Sequence, residues 1–455
     1  MTTARSAVHE PARDTPVIAD VEVLVLGGGP AGIAAAASAA AAGRRTLLVE
    51  RYGFLGGMGT AAGVTNFCGL HANVHGDIRR VVHGVADELL ERIDALGGLN
   101  QPHLIFGKTL AQAYDVAAYK CAADQLLSAR GVQLMFHAAA VGVVMHDDTR
   151  RPCIDALLVE TRSGRGALRA LQFIDASGDA DLSNWAGAPW QQGDAHGQWL
   201  YPTLMFRVGN VDNARAGEAW REVEARMDEA RQRGTHRFPR KGAILRPMKH
   251  DGEWRVNVTQ LANAAGHAVD GTDAQEISAA EIEGRRQVVA FFDFLRDCLP
   301  GFEQAYLLDI APQVGIRETR RISGHYQLSV DDVIGCARFD DSIGVNGWPM
   351  EQHVAGDVLW TWPPIPQSRG FNQLPWRMLL PQGVHNLLVA GRCASMSSGA
   401  QSAARVSGGC FVMGEAAGTG AALALDAGVA PSELPAATLQ AALRAQGAWL
   451  GNDAD

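Results

Sequence analysis

Several chemistries are set aside by what this chain does not contain. Its seven cysteines, at positions 68, 121, 153, 298, 336, 393 and 410, form no CxxC pair and no close cluster. Neither a local dithiol nor a structural zinc site is therefore expected. No Walker phosphate loop, HExxH, EF-hand loop or GxSxG elbow occurs, which argues against metal-dependent and serine hydrolysis. The most apolar early stretch, Ala31 to Ala42, has twelve residues, short of the roughly 20 that cross a bilayer. A basic excess is missing too: 40 Lys and Arg face 49 Asp and Glu, a net charge of −9, so no broad field favours nucleic acid. The first twenty residues scatter charge and proline where a signal peptide needs a continuous apolar core, so a cytoplasmic protein with reduced thiols is expected.

What is present is a 455-residue chain with 47% apolar residues and 51 Gly. At about 150 residues per domain this makes two or three packed units. Residues 21–26, VEVLVL, read as a buried strand running into a glycine turn at Gly27, Gly29 and Gly32. An Ala-rich helix to about Ala42 and a second strand, Thr46 to Val49, follow, closed by Glu50. In this strand–turn–helix–strand the glycines allow the tight turn, the approach of main chain to a pyrophosphate, and close helix packing. Pro30 and Ala31 open the helix, whose free N–H groups suit phosphate. Glu50 suits a ribose diol and disfavours a 2′-phosphate, so FAD or NAD is preferred over NADP. The next segment holds Arg51, Gly53, Phe54, Leu55, Gly56, Gly57, Met58, Gly59 and Thr60, and its glycines suit a main chain that wraps a cofactor.

Further on, the spacing predicts a helix over 111–129, a strand over 132–136, and a meander of strands at 141–145, 154–160 and 168–174, with turns at 147–150 and 163–166. A second unit is expected from about residue 183, with a charged helix over 215–233. A further helix is expected to start at Ser278, whose spacing to Glu281 is that of a capping box, and to run to Leu299 with Ile282, Val289, Phe292 and Leu295 on one face. Residues 340–383, rich in Trp, Pro and Gly, read as long irregular loops. A strand at 386–390, a small-residue helix at 408–425 and a helix at 436–445 close the chain.

With these segments read, the chain resembles the bacterial FAD-dependent oxidoreductase family of the glutathione-reductase-like (GR2-type) flavoprotein superfamily, over about residues 20–450. The resemblance rests on the glycine turn, Gly53-Phe-Leu-Gly-Gly57, Asp175-Ala-Ser-Gly-Asp-Ala-Asp181, Gly315-Ile-Arg-Glu-Thr-Arg-Arg321, Asn386-Leu-Leu-Val-Ala-Gly-Arg392 and Gly414-Glu-Ala-Ala-Gly418. It implies an α/β fold in which a discontinuous Rossmann-like FAD-binding domain (18–182 and 384–430) accepts an inserted α+β substrate domain (183–383), with a C-terminal helix and tail (431–455). It further implies that Gly178 lies beside the adenine side of FAD, Gly391 and Arg392 near the pyrophosphate and ribityl chain, and Gly408, Gly409 and Cys410 near the flavin pyrimidine. Many relatives carry a His-Glu pair in the loop that looks equivalent to Ser398-Gly399, and this chain lacks it there.

For catalysis the candidates are His325 and Tyr326, just beyond Arg317, Arg320 and Arg321, which suit a carboxylate clamp, and His71, near Asn66 and Cys68. Trp185, Trp190, Trp199 and Tyr201, with Trp348, Trp360, Trp362 and Trp376, suit an aromatic cavity. The expected activity is removal of hydride from a small C–OH or C–N substrate, with electrons passed to oxygen or a separate acceptor. A reductase or monooxygenase using NAD(P)H is the alternative, and a non-catalytic flavin-binding redox sensor the alternative of another class. A monomer or homodimer is expected, with no nucleic-acid or membrane partner.

Overall fold

The computed structural model describes residues 7–146 and 150–452. Strand β1 (Val17–Leu26) is the axis of a seven-stranded sheet. It pairs in parallel with β2 (Thr46–Val49) on one side and with the long strand Gly164–Asp175 on the other. Gln133–Met135 extends the β2 side, and Leu387–Val389 pairs with the end of Gly164–Asp175, both in parallel. That twelve-residue strand also anchors the antiparallel meander through Ile154–Thr161 and Ala139–Met145. Val23, Leu24 and Val25 are wholly buried, as expected of a parallel strand covered on both faces.

Helix α1 (Pro30–Ala41) begins with Pro30 at its first position and buries nine residues, all small but Ile33. It lies against the core helix Ser407–Ala427. A Cβ at Gly414 or Gly418 would overlap the carbonyl oxygen of Ala31 or Ala35, so the two helices approach at backbone distance through a glycine groove. Ser407–Ala427 is long and apolar enough to cross a membrane by length and composition, yet most of it is buried among protein.

A second core surrounds a four-stranded antiparallel sheet ordered Ile244–Pro247, Trp254–Asn257, Phe206–Gly209, Tyr306–Ile310. The helices Ala219–Arg233 and Ala274–Cys298 contribute Val223, Met227, Val288, Phe291 and Phe294 to it. The chain rejoins the first core early: Leu328, Ile343, Val345 and Phe371 already pack with it, well before the expected boundary at 384.

Several local expectations are corrected. The helix expected over 111–129 is a strand, Thr109–Ala113, and then a helix, Val116–Ala129, because Asp115 caps it by accepting the Ala118 N–H at 2.8 Å. The charged helix is split into Asn213–Ala216 and Ala219–Arg233 around Gly217, whose φ is +50°. Asp273, not Ser278, caps the next helix. Ser278 sits inside it and donates to the Ala274 carbonyl at 2.6 Å, while Ile282 and Val289 face solvent. The stretch 340–383 contains two antiparallel pairs, Ser342–Asn346 with Asn372–Pro375 and Met350–Val354 with Asp357–Thr361. The expected turn at 147–150 falls largely outside the described residues, as do the first six residues of the leader and the last three of the tail.

Candidate functional site

A single cavity of about 830 Å³ runs from the end of β1 to the second sheet. At one end its wall is mostly main chain. Gly27 turns the chain with φ +103°, and a Cβ there would meet Ala176 backbone. The N–H of Gly28 donates to Glu50 Oε2 at 2.7 Å and that of Tyr52 to Oε1 at 3.0 Å, which fixes the buried carboxylate at the end of β2. Gly57, at φ +54°, brings the second glycine segment against the first, where a Cβ would stand 2.7 Å from Gly29 Cα. Neither α1 nor Ser407–Ala427 has a side-chain cap or an acid in its first turn; the Gly408 N–H is taken by the Cys68 carbonyl at 2.9 Å, and the other first-turn N–H groups remain for an anion.

Of the expected cofactor residues, Gly27, Gly29, Pro30 and Ala31 line this end together with Glu50 and Arg51. Gly57, Met58, Gly178, Gly391, Arg392 and Cys410 line it as well. Four others stand behind the wall. Gly32 packs under the Gly27 carbonyl, Gly56 against Thr60, and Gly409 against the Ala404 carbonyl. The Thr60 hydroxyl donates to Leu55 O at 2.7 Å. Arg392 is held by Asp179 at 2.9 Å and Thr319 at 3.2 Å. These features fit FAD: two glycine segments at backbone distance, uncapped helix starts, a fixed carboxylate and a positioned arginine.

The catalytic candidates separate. Arg317 is in the cavity wall, 8% exposed, donating Nη1 to Tyr201 O at 2.9 Å. His325 is exposed and outside it. Tyr326 donates its hydroxyl to Asp332 at 2.9 Å, an acid that also completes a capping box with Ser329, so its task is structural. His71 is buried on a hairpin strand outside the wall, where burial pulls its pKa down to about 4. Two of the three arginines expected to clamp a carboxylate, Arg320 and Arg321, are instead fasteners. Arg321 is wholly buried on Glu318 and the Met396 and Gly193 carbonyls, and Arg320 binds Asp181 at 2.6 Å. Of the aromatic residues, Trp348 and Trp360 line the cavity, whereas Trp376 fills core beneath Gly420. Cys68 and Asn66 also line it, and burial pushes the Cys68 thiol up to about 12, too high for a nucleophilic thiolate.

The far end contains a pair that the sequence reading missed. Glu351 and His353, two apart on Met350–Val354, project on one face of the strand. His353 Nε2 lies 3.0 Å from Glu351 Oε1, and the indole N–H of Trp348 donates to Oε2 at 3.0 Å. Burial, then Arg317 and Arg240, hold the imidazole down at about 3, while the bond to His353 keeps Glu351 ionised. The pair is thus a neutral histidine donating to a carboxylate, with Nδ1 left as acceptor. Its strand packs on the helix Ser398–Ala404, the segment where relatives' His-Glu pair was expected and absent. The available signal was the alternation Glu-Gln-His between tryptophans at 348 and 360.

The family model described as FAD dependent oxidoreductase matches residues 22–443. No curated protein matches. Among solved structures, the chain is similar to a geranylgeranyl bacteriochlorophyll reductase-like protein from Thermoplasma acidophilum, with 14% identity, 94% of this chain and 91% of that one covered, and a TM-score of 0.45. It is similar to p-nitrophenol 4-monooxygenase from Pseudomonas putida at 12% identity, 96% and 91% coverage, and a TM-score of 0.46. A third is aklavinone-11 hydroxylase in ternary complex with FAD and aklavinone, at 16% identity and a TM-score of 0.45, with 89% of this chain and 63% of that one covered.

Proposed function

The chain belongs to the FAD dependent oxidoreductase family, and from that premise we propose that it is an FAD-dependent dehydrogenase or oxidase acting on a C–OH or C–N bond of a small organic substrate. The observation that carries this reading is the Glu351–His353 pair facing the same cavity as the glycine turn. Main-chain N–H groups at the start of α1, with Glu50, would hold the cofactor's pyrophosphate and adenosine ribose. FAD, when bound, would supply the two-electron oxidising power, with oxygen or another acceptor as the terminal oxidant.

The protein's own part is proton handling and positioning. His353 is neutral at working pH, which leaves Nδ1 as an acceptor; held at about 3 it is a weak base in the empty cavity, and it takes the proton of the substrate O–H or N–H once bound substrate offsets the opposing charge of Arg317 and Arg240. Glu351, bonded to the other ring nitrogen, fixes the tautomer and stabilises the imidazolium as it forms, the division of labour of a histidine–carboxylate pair. Trp348 holds the second carboxylate oxygen and keeps the pair from rotating. The His353 side chain is 3% exposed and that of Glu351 14%, so few waters compete for the proton.

The test is anaerobic mixing of the FAD-loaded protein with a panel of alcohols and amines, followed by visible absorption. Bleaching by one of them without NAD(P)H is expected. Reduction only by NAD(P)H, accelerated by a compound that later gains oxygen, would overturn the reading in favour of a monooxygenase.

A further inference from the structure

The far end of the cavity concentrates cations that the protein does not itself satisfy. Arg255, 5% exposed, donates Nη1 to Val64 O at 3.1 Å, and its Nε is buried with no hydrogen-bond partner. Arg240, 3% exposed, donates Nη2 to the Asn257 carbonyl and to its side-chain oxygen at 3.2 Å, and again Nε has none. Arg317 spends one donor on Tyr201 O. The side chain of Arg405 makes no hydrogen bond among the described residues, and its Nε is buried.

The acids nearby do not balance them. Glu351 is already engaged by His353 and Trp348. Asp357 is only part-buried, Glu224 is exposed and faces Lys241, and Glu50 and Asp181 stand at the glycine end. Burial lowers the pKa of all four arginines. An uncompensated buried charge is strongly destabilising, and a chain with a net charge of −9 has no general surplus of arginine to explain the cluster.

We propose that the substrate is an organic acid whose oxyanion group, carboxylate or phosphate ester, docks on the guanidinium groups of Arg240, Arg255 and Arg317. This rests on the reading of the cavity as the site of oxidation. A guanidinium presents paired N–H donors in one plane and matches either oxyanion with two parallel bonds. Nη2 of Arg255, Nη1 of Arg240 and Nη2 of Arg317 make no hydrogen bond and, unlike the two buried Nε atoms, keep accessible surface, so they are the donors open to a ligand in the cavity these arginines line. The arriving anion also offsets the charge of Arg317 and Arg240 that opposes protonation of His353, so recognition of the acid and acceptance of the proton reinforce one another.

The test is calorimetric titration of the FAD-loaded protein with benzoate, phenyl phosphate and neutral benzamide at fixed ionic strength. At least one of the two acids is expected to bind tenfold or more tightly than benzamide, and which acid wins identifies the oxyanion. Arg255→Gln and Arg240→Gln are each expected to weaken that acid at least tenfold and leave benzamide unchanged. Arg255→Lys retains part of the affinity, and Arg286→Gln on the exposed helix face retains all of it. Absence of any preference for acid over amide in the unsubstituted protein, including absence of binding by either acid, overturns the inference. So does unchanged acid affinity in both glutamine variants. Because the readout is equilibrium binding without turnover, it stands apart from the anaerobic reduction experiment, and either result can fail without the other.

Discussion

At the glycine end the cavity wall is main chain held at fixed separations, while at the far end it is side chains brought together from strands and loops that are distant in sequence. The glycine end leaves N–H groups and a positioned carboxylate, and its polar atoms are largely engaged. The far end leaves guanidinium donors orphaned and a histidine held neutral by burial and neighbouring charge. The difference teaches that one end is committed to a constant ligand and the other to a changing one. A backbone cradle tolerates no side chain, whereas unsatisfied side-chain donors are worth their destabilisation only if something else arrives to use them.

The largest expected effect breaks the first end. Gly32→Ala places a methyl against the Gly27 carbonyl oxygen, an overpacking of backbone that costs about 3 kcal/mol or more. The purified variant is expected to lose most of its FAD, read as the ratio of visible to ultraviolet absorption, and to melt at lower temperature. Second come substitutions at the far end. His353→Asn is expected to slow substrate-driven flavin reduction by about 100-fold or more, and Glu351→Gln, which keeps a hydrogen-bonding partner without the charge, by a smaller factor, with FAD content unchanged in both.

A third test reads buried titratable groups by pH. His353 falls from 6.5 to about 3 and His71 from 6.5 to about 4 on folding, both chiefly through burial. The unfolded chain therefore takes up protons that the folded one refuses, and the stability these histidines contribute, present above pH 6.5, is lost as pH falls from there, by about 1.4 kcal/mol per pH unit for each. Glu415, on the core helix and packed against Gly84 and Val85, is raised by burial from 4.5 to about 8. Its contribution is complete below pH 4.5 and is lost as pH rises through 8. Denaturant unfolding across this range is expected to show an optimum near pH 6.5. His353→Asn should flatten the acid side and Glu415→Gln the alkaline side; an unchanged profile in either variant would contradict the assignment. The smallest effect is expected outside the cavity. His325→Ala should leave turnover within about twofold, and Tyr326→Phe should cost about 1 kcal/mol of stability through the lost bond to Asp332, with no change in substrate-driven reduction.

The same contrast explains what was legible in the sequence. Gly27, Gly29, Gly32 and Glu50 lie in one short stretch, where local conformation and function share the same residues, so pattern alone located them. Gly391, Arg392 and Cys410 came through resemblance and line the same wall. The far end has no such stretch: Arg240 and Arg255 reach it from the second sheet region, Arg317 from a loop, and Glu351 with His353 from a hairpin that read as irregular chain. His325 and Tyr326 looked favourable because arginines precede them, but Arg320 and Arg321 turn out to tie loops together. Register and burial, which decide whether a polar residue faces a cavity or a neighbour, are set by tertiary pairing and leave little local trace.

The most direct measurement pairs FAD content with the anaerobic rate of substrate-driven flavin bleaching in the unsubstituted protein and in His353→Asn. The account predicts equal FAD per chain and a rate at least about 100-fold lower in the variant. An unaltered rate, or loss of FAD in parallel with the rate, would contradict the division of the cavity into a cofactor end and a proton-accepting end.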